Sequence, residues 1–413
     1  MSTAQHRLEV PWLYQAPLGP LLAVLDDAGE EARVVGGAVR NALLGEPHGD
    51  IDIATTAPPA EVIRRVQAAG FKAVPTGLEH GTVTVVAEGI PFEVTTLRED
   101  VETFGRHAKV AFGRDWRRDA ERRDFTMNAL SLARDGHIYD YVGGLADVAA
   151  RRVRFIGDPA MRIAEDYLRI LRFFRFHAAY GEGSPDPAGL TACIAGRAGL
   201  ERLSRERIRM ETLKLLVARH APAALVVMAE SGLLQEVLAG VPLVGGFANM
   251  TKVESMLALD ADAVRRLGAL AVLVAEDAER LRERLRLSNT EYERLASMSD
   301  AWWRISAELP ESSARALLYR LGPVRFTDRV LLSWARATQP TTDQDWTRLA
   351  TLPARWTAPS FPLRAAQLMQ RGVPKGPRLG AALTAAEAAW IAAGFPCDTS
   401  ALEAIADTAA GAV

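Results

Sequence analysis

Two aspartates one residue apart, Asp50 and Asp52, are the first residues whose types and spacing could do chemistry. They belong to the run DIDIATT, and side chains two residues apart on an extended strand project from the same face. Two like charges held that close repel each other, and a hard divalent cation such as Mg²⁺ is the usual partner of paired oxygen ligands. The pattern therefore predicts that Asp50 and Asp52 bind Mg²⁺. A D-x-D that arises by chance is the alternative.

A glycine turn precedes the two aspartates. The segment VVGGAVRNALLG is typical of a short strand, a turn at Gly36 and Gly37, and the start of a helix. Backbone amides of glycine can approach phosphate oxygens closely because no Cβ intervenes, and Arg40 would add a fixed cation. The segment predicts a triphosphate site, with a plain turn as the alternative. It matches neither the P-loop nor the dinucleotide-binding pattern.

A third polar group occurs in RRDFTMNAL, residues 122–130. It sets Arg123, Asp124 and Asn128 around an aromatic residue and small residues. A helix start with Asp124 near its N-terminus would explain this stretch without any ligand. On the residues alone both interpretations stay open.

The segment EDYLRILRFFRF predicts a site that reads a nucleotide base. On a helix Asp166 and Arg169 are i,i+3 neighbours, and Arg172 and Arg175 follow at steps of three. A guanidinium only donates hydrogen bonds and an ionised carboxylate only accepts them. Cytosine and adenine both present a ring-nitrogen acceptor beside an amine donor, whereas uracil and guanine present the reverse order. One Asp–Arg pair could therefore select C and A without a template.

The elements that must position these residues change character along the chain. After a helical stretch at about 18–29, residues 31–150 mix short β-branched runs with helices, which predicts an α+β unit with one mixed sheet. From residue 151 the strand signals vanish and Leu/Ala/Arg/Glu stretches predict helices only. Breaks rich in proline, glycine or threonine interrupt this part at 180–189, 238–246 and 338–346.

Charge is balanced globally and biased locally. The 413 residues carry a net charge of −2, so the composition as a whole does not indicate a nucleic-acid binder. Residues 151–219, however, hold 14 Lys and Arg against 8 Asp and Glu. Such a bias fits either an RNA-binding surface or a solvated helical face.

Cysteine usage and hydropathy exclude several classes of protein. Cys193 and Cys397 are the two cysteines and lie far apart, so the sequence predicts neither a disulfide framework nor a zinc site. Both are expected to be small buried residues. The N-terminus shows no apolar signal segment, and the longest apolar run, 267–275, is too short to cross a bilayer. We expect a cytoplasmic protein with no membrane contact.

Taken in order, these motifs resemble a known family. The series GGAVRN, DIDIA, EVTTLR, RRDFTMNAL, YDYVGGLADV, EDYLRILRFFRF and LSRERIRMETLKLL is similar to that of the bacterial class II tRNA nucleotidyltransferases, the CCA-adding enzymes, and of the related bacterial poly(A) polymerases. The resemblance covers roughly residues 31–216. It implies a polymerase-β-type nucleotidyltransferase head with a mixed sheet (1–150), then an all-α neck with the nucleotide-selecting helix (151–216), body (217–337) and tail (338–413).

The same resemblance implies an activity and its residues. The expected reaction adds CCA to the 3′ end of tRNA from CTP and ATP, releases pyrophosphate and uses Mg²⁺; no protein partner is evident. Asp50 and Asp52 match the catalytic metal pair, and Glu93 is either a third catalytic carboxylate or a buried structural acid. The nucleotide-binding positions are Gly36, Gly37, Arg40, Arg123, Asp124, Asn128, Asp166, Arg169, Arg172 and Arg175. A poly(A) polymerase, or a non-catalytic RNA-binding descendant, is the alternative.

Two further segments match the family with less definite roles. Residues 98–121 resemble a flexible loop that helps the switch from C to A, with Gly105 and Gly113 favouring a mobile segment. His107 in this segment is either a polar loop contact or a base. In YDYVGGLADV, Asp140 and Asp147 either cap or pair structurally or contact substrate.

Overall fold

A computed structural model describes residues 6–104, 107–337 and 344–412, with side chains described except at 80 and 99–111. The chain divides into two compact units, Met1–Ala239 and Gly240–Val413. The division into head, neck, body and tail stays a prediction.

The first unit contains a seven-stranded sheet in the order β3-β4-β5-β2-β1-β8-β9 and a separate β6–β7 hairpin. Strands β2 and β5 pair in parallel while the other neighbours pair antiparallel, so the sheet is mixed, as predicted. Within the described ranges no strand follows Tyr139. The strands are β1 (Ala32–Val35), β2 (Asp52–Thr55), β3 (Lys72–Gly77), β4 (Thr82–Ala87), β5 (Ile90–Thr96), β6 (Arg98–Phe104), β7 (His107–Phe112), β8 (Ser131–Ala133) and β9 (Ile138–Tyr139).

Helices α2 and α4 pack against the sheet, and further helices follow it along the chain. The helices of the first unit are α1 (Pro11–Tyr14), α2 (Leu18–Leu25), α3 (Gly37–Leu44), α4 (Pro59–Ala68), α5 (Trp116–Glu121), α6 (Gly144–Ala149), α7 (Pro159–Glu165), α8 (Leu168–Tyr180), α9 (Pro187–Ala195), α10 (Arg205–Leu216), α11 (Ala221–Glu230) and α12 (Leu233–Leu238). Short 3₁₀ helices lie at Leu78–His80, Thr126–Asn128 and Arg197–Arg202.

Alternation along the strands separates a core face from a polar face. In β4 the buried side chains are Val83, Val85 and Ala87, and helix α4 packs against β4 and β5. The side chains between them belong to the opposite face, which also carries Asp52 and Glu93. Period-two burial of apolar residues therefore fixes which face holds the carboxylates.

An aromatic cluster packs α8 against the segment that follows α5. Phe125 contacts Phe155 and Phe176 with ring centroids 5.0 and 5.2 Å apart, and Phe155 stacks on Phe173 at 5.4 Å. All four rings are buried, and burying a phenylalanine stabilises a fold by about 1.5–3 kcal/mol. This cluster holds the arginine-bearing side of α8 beside residues 123–128.

The described part of the second unit is helical, as the sequence predicts. A buried carboxylate, Asp328, accepts hydrogen bonds from Arg265 at 3.0 Å and from Arg294 at 2.7 Å. The helices are α13 (Val244–Met256), α14 (Ala263–Ala271), α15 (Ala275–Leu285), α16 (Asn289–Ser299), α17 (Glu311–Arg336), α18 (Gln344–Ala350), α19 (Leu352–Arg355), α20 (Ala365–Met369), α21 (Pro377–Ala392) and α22 (Thr399–Gly411), with a 3₁₀ helix at Trp302–Arg304.

Two sequence predictions are corrected by the fold. Residues 98–121 are not a loop throughout: β6 and β7 form an antiparallel hairpin, and in α5 Trp116 is buried in a small core cluster. Gly105 and the side chain of His107 lie outside the described residues. Cys193 is buried as expected, whereas Cys397 is exposed. No helix among the described residues is long and apolar enough to cross a membrane.

Candidate active site

A cavity of about 500 Å³ in the first unit brings together ten of the predicted site residues. Three residues that the sequence reasoning did not assign to the site also line it, namely Leu168, Phe176 and Arg207. Asp50, Glu93 and Arg175 do not line it. The predicted residues at the cavity are Gly36, Gly37, Arg40, Asp52, Arg123, Asp124, Asn128, Asp166, Arg169 and Arg172.

Asp52 lines the cavity, and Glu93, which does not, lies beside it on the neighbouring strand. The parallel register of β2 and β5 sets Asp52 directly opposite Glu93, and both are exposed, so Glu93 is not a buried structural acid. Strand β2 begins at Asp52, so Asp50 lies in a bend before the strand rather than at a strand position. Partial desolvation and then the charge of Glu93, with a smaller effect of Asp50, raise the pKa of Asp52 although Arg123 opposes them.

These carboxylates fit a divalent cation that substrate also binds. Among the described residues no Lys or Arg forms an ion pair with Asp50, Asp52 or Glu93. The same residues include no group of three or more His, Cys, Asp and Glu that could hold a metal by itself. Mg²⁺ commonly takes one or two carboxylates and completes its coordination with water and phosphate oxygens. The donor set is suited to that arrangement rather than to a closed protein cage.

Gly36 has a conformation that favours glycine. Its φ is +72°, and it precedes α3, whose first residue is Gly37. A Cβ on Gly36 would lie 3.4 Å from the Nη1 of Arg123, in addition to the strain of the positive φ. The N–H of Gly36 itself donates to the carbonyl of Leu130 at 3.2 Å, so phosphate binding at this turn would fall to the first amides of α3, beginning with Gly37.

Arg40 is buried and bound by protein groups rather than a free cation. Its Nε and Nη2 donate to the side-chain oxygen of Asn41, Nη2 also donates to the hydroxyl of Tyr180 at 2.7 Å, and Nη1 donates to Asn128. Four of its five N–H groups are therefore used, and one on Nη1 is left for a ligand. Burial lowers the pKa of Arg40.

Asp124 connects α8 to the segment before β8. Its carboxylate accepts from the backbone N–H of Phe125 at 2.9 Å, from the amide of Asn128 at 3.2 Å and from the Nε of Arg172 at 2.7 Å. Burial alone would raise the pKa of Asp124, but Arg172 and these hydrogen bonds outweigh burial and lower it. Arg175 instead donates to the buried Glu211 of α10, at 2.5 Å, which explains why it does not line the cavity.

The prediction that Asp166 and Arg169 share one helix is wrong. Asp166 has extended backbone angles between α7 and α8, and its carboxylate binds the N–H of Leu168 and both Nη atoms of Arg207, the shorter contact being 2.6 Å. Arg169, within α8, donates through Nη1 to Glu165 and to the carbonyl of residue 162. Helical periodicity cannot reveal a break of two residues, so the sequence pattern gave the wrong geometry.

Both side chains keep atoms that can meet a base in the cavity. Oδ1 of Asp166 accepts two hydrogen bonds and Oδ2 accepts one, so Oδ2 has room for another donor. The Nε and Nη2 groups of Arg169 form no hydrogen bond with the described residues. The cavity thus offers a donor and an acceptor, although the two residues do not bind each other.

Two carboxylates near the site have structural roles. Asp140 accepts hydrogen bonds from four successive backbone amides at the start of α6. Asp147 is fully buried and binds Thr126, Arg152 and Arg154. The sequence left open whether these aspartates contact substrate or have structural roles. The hydrogen bonds support structural roles, capping for Asp140 and ion pairing for Asp147.

Arg207 is the one charged residue among the three lining residues that the sequence did not predict. It lies in α10 and contributes both to the cavity lining and to the orientation of Asp166. The segment LSRERIRMETLKLL did belong to the motif series, but four basic residues in it left no reason to single out one.

Family models match two parts of the chain. The model described as the poly A polymerase head domain matches residues 32–154, and the model described as the probable RNA and SrmB-binding site of polymerase A matches residues 186–243. The first match contains the sheet and the two carboxylates at positions 52 and 93. The second contains α10 and therefore Arg207.

Named relatives cover most of the chain. The CCA-adding enzyme of Limosilactobacillus fermentum is 33% identical over 89% of this chain and 90% of that protein. The mitochondrial CCA tRNA nucleotidyltransferase 1 of Danio rerio is 42% identical, but the match spans 63% of this chain and 61% of that protein. The crystal structure of the Bacillus stearothermophilus CCA-adding enzyme in complex with CTP is 28% identical, with a TM-score of 0.73 over 93% of this chain and 94% of that one. The chain belongs to the family of CCA-adding tRNA nucleotidyltransferases.

Proposed function

We propose that this protein adds C, C and A to the 3′ end of tRNA from CTP and ATP, without a template and with release of pyrophosphate. The observation that carries this proposal is that one cavity is lined by Asp52, which forms no ion pair with a described residue, and by Asp166 and Arg169, which keep a free acceptor and free donors. The relatives and the structure named above are CCA-adding enzymes, which favours CCA addition over poly(A) synthesis. Retention of both aspartates at 50 and 52 argues against a non-catalytic descendant.

The carboxylates and the glycine turn have different roles in binding the triphosphate. Asp50 and Asp52, with Glu93 beside them, would hold two Mg²⁺ ions, which supply activation of the primer hydroxyl and stabilisation of charge on the leaving group. The first amides of α3, beginning with Gly37, would bind the phosphates, while the positive φ of Gly36 shapes the turn before them. No protein nucleophile is needed, because positioning and charge stabilisation account for phosphoryl-type transfer.

The arginine network orients the nucleotide. Arg123 is held by Asp119, and Arg172 by Asp124, so each guanidinium is fixed while it borders the cavity. Arg169 donates to N3 of cytosine or N1 of adenine, and Oδ2 of Asp166 accepts from the exocyclic amine. Uracil and guanine would leave these groups unpaired, which costs about 1–3 kcal/mol for each buried group.

RNA binding is assigned to the basic helical part of the first unit. Thirteen arginines and one lysine in 151–219 supply charge for phosphate contacts, although Arg172 and Arg175 are engaged with Asp124 and Glu211. A cytoplasmic location stays a prediction, since the named relatives include a bacterial and a mitochondrial protein.

Single-nucleotide incorporation tests this function. Purified protein is incubated with tRNA that lacks its 3′-terminal CCA and with each labelled nucleoside triphosphate separately. CTP alone should extend the tRNA by two residues, ATP should be added only afterwards and once, and UTP and GTP should not be used. Repeated incorporation of A onto any RNA end would establish a poly(A) polymerase instead.

A further inference from the structure

The order of the sheet separates two sides of Asp52. Strand β1, which leads into the glycine turn and α3, lies on one side of β2, while β5, β4 and β3 lie on the other. In phosphoryl transfer the attacking and the leaving oxygens are roughly in line on opposite sides of the phosphorus. If the triphosphate occupies the turn, as the proposed function requires, the attacking hydroxyl must approach from the β5 side.

Hydroxyl groups cover the sheet on that side. Thr84 lies directly opposite Glu93 and Thr82 directly opposite Thr95, so these side chains share the face of the carboxylates. Their hydroxyls form pairs: Thr82 with Thr95 at 3.1 Å, and Thr84 with Thr76 of β3 at 2.8 Å. Thr82, Thr84 and Thr95 are half-buried and Thr76 is exposed.

The outer end of this face carries a cation. Lys72, the first residue of β3, lies opposite Val86, which in turn lies opposite Pro91, so the register sets it on the same face. Lys72 is exposed and forms no ion pair with a described residue. Neighbouring strands are about 4.8 Å apart, so β3 lies about 14 Å from β2. We call Lys72, Thr76, Thr82, Thr84 and Thr95 the threonine face.

We propose that the threonine face binds the ribose–phosphate backbone of the last nucleotides at the RNA 3′ end and recognises their 2′-hydroxyls. Within each threonine pair one O–H donates to the other, which leaves one donor and several lone pairs for a ligand. A 2′-hydroxyl is itself both donor and acceptor, and it is the group by which a protein distinguishes RNA from DNA. Lys72 matches a backbone phosphate farther from the reacting end. This inference rests on the proposed function, and it adds the surface that holds the second substrate.

A coupling experiment tests the threonine face. The full-length protein and the variants T84V and T76V are given tRNA primers that carry a single 2′-deoxy substitution at one of the last three nucleotides. Valine keeps the β-branched shape, so the strands should form normally. In the unaltered protein one deoxy position should lower kcat/KM by about 3- to 10-fold, the size of one hydrogen bond. In T84V or T76V a 2′-deoxy substitution at that same position should not lower kcat/KM any further.

Controls separate this inference from the proposed function. T384V removes an exposed hydroxyl from α21 and should show the same deoxy effect as the unaltered protein. K72M should raise KM for tRNA and reduce the salt dependence of tRNA binding by about one phosphate contact, whereas K252M should not. If T84V and T76V each lowered kcat/KM independently of the 2′-deoxy substitution at every primer position, the threonine face would not bind these 2′-hydroxyls. Failure of the unaltered protein to extend an all-ribose primer would instead overturn the proposed function.

Discussion

Two sets of carboxylates in the first unit differ in their partners. Asp52 and Glu93 lie exposed and side by side, and no arginine whose side chain is described pairs with them, whereas Asp124 and Asp147 are each bound by arginine. Accordingly the pKa of Asp52 is raised, and the pKa values of Asp124 and Asp147 are lowered. The difference separates the carboxylates that stabilise the fold, Asp124 and Asp147, from those that remain available to a cation, Asp52 and Glu93.

The two sets also act on stability in opposite directions. For Asp147 and Asp124 the folded pKa lies below the unfolded value, so their contribution is present above the unfolded pKa and lost as pH falls through the folded one. For Asp52 the folded pKa lies above the unfolded value. In the metal-free protein, stability therefore declines as pH rises from the unfolded pKa through the folded pKa. The unpaired carboxylates cost stability that a bound cation would restore.

The largest expected effect comes from the unpaired set. Replacing Asp50 or Asp52 with alanine should reduce nucleotide incorporation to background, because the charge that holds Mg²⁺ is lost. tRNA binding should stay within about twofold, since it depends on phosphate contacts elsewhere. Incorporation assays and filter binding measure the two quantities, with D135A as an exposed control. Full activity of a D50A/D52A double variant would remove the metal assignment.

Disrupting the paired set should instead destabilise the fold. D147N leaves Arg152 and Arg154 without a buried carboxylate and should lower the free energy of unfolding by about 2–4 kcal/mol. Under the same metal-free conditions D52N should raise the melting temperature slightly, because it removes a repelled charge. Thermal and urea denaturation at neutral pH provide the measurement. Equal destabilisation by both variants would abolish the distinction between the sets.

Selectivity should change at the residues that read the base. Arg169→Ala removes the ring-nitrogen donor and Asp166→Ala removes the amine acceptor, so either change should reduce the preference for CTP over UTP by about one to two orders of magnitude. The ratio of kcat/KM values is the correct quantity, because a general loss of activity carries no information about selectivity. An unchanged ratio in both variants would show that these residues do not read the base.

The smallest expected effect is a shift of the pH profile. Glu93 raises the pKa of Asp52, so E93Q should move the acid limb of the pH–rate profile to lower pH, whatever it does to the maximal rate. E88Q changes an exposed acid in the turn between β4 and β5 and should leave the limb in place. A limb that stays fixed in E93Q would mean that another group titrates there.

Local motifs predicted which residues lie together at the cavity better than they predicted the geometry of those residues. The alternation in DIDIATT predicted an extended strand that carries Asp52, because period-two patterning is a property of the strand itself, but β2 begins at Asp52 and leaves Asp50 in the bend before it. The break at Asp166 was missed, since the residues on both sides continue a helical pattern. The sequence also could not show that Arg40 donates hydrogen bonds to Asn41, Asn128 and Tyr180, because these contacts join segments up to 140 residues apart.

Direct measurement of metal binding tests the central claim, that the unpaired carboxylates exist to hold a cation. Mn²⁺ binding to the full-length protein is followed by electron paramagnetic resonance, with and without CTP and without primer, for the unaltered protein, D52N and E88Q. We expect Mn²⁺ to bind more tightly when CTP is present, E88Q to bind it like the unaltered protein, and D52N to bind it at least about tenfold more weakly. Equal binding by D52N and the unaltered protein would contradict it.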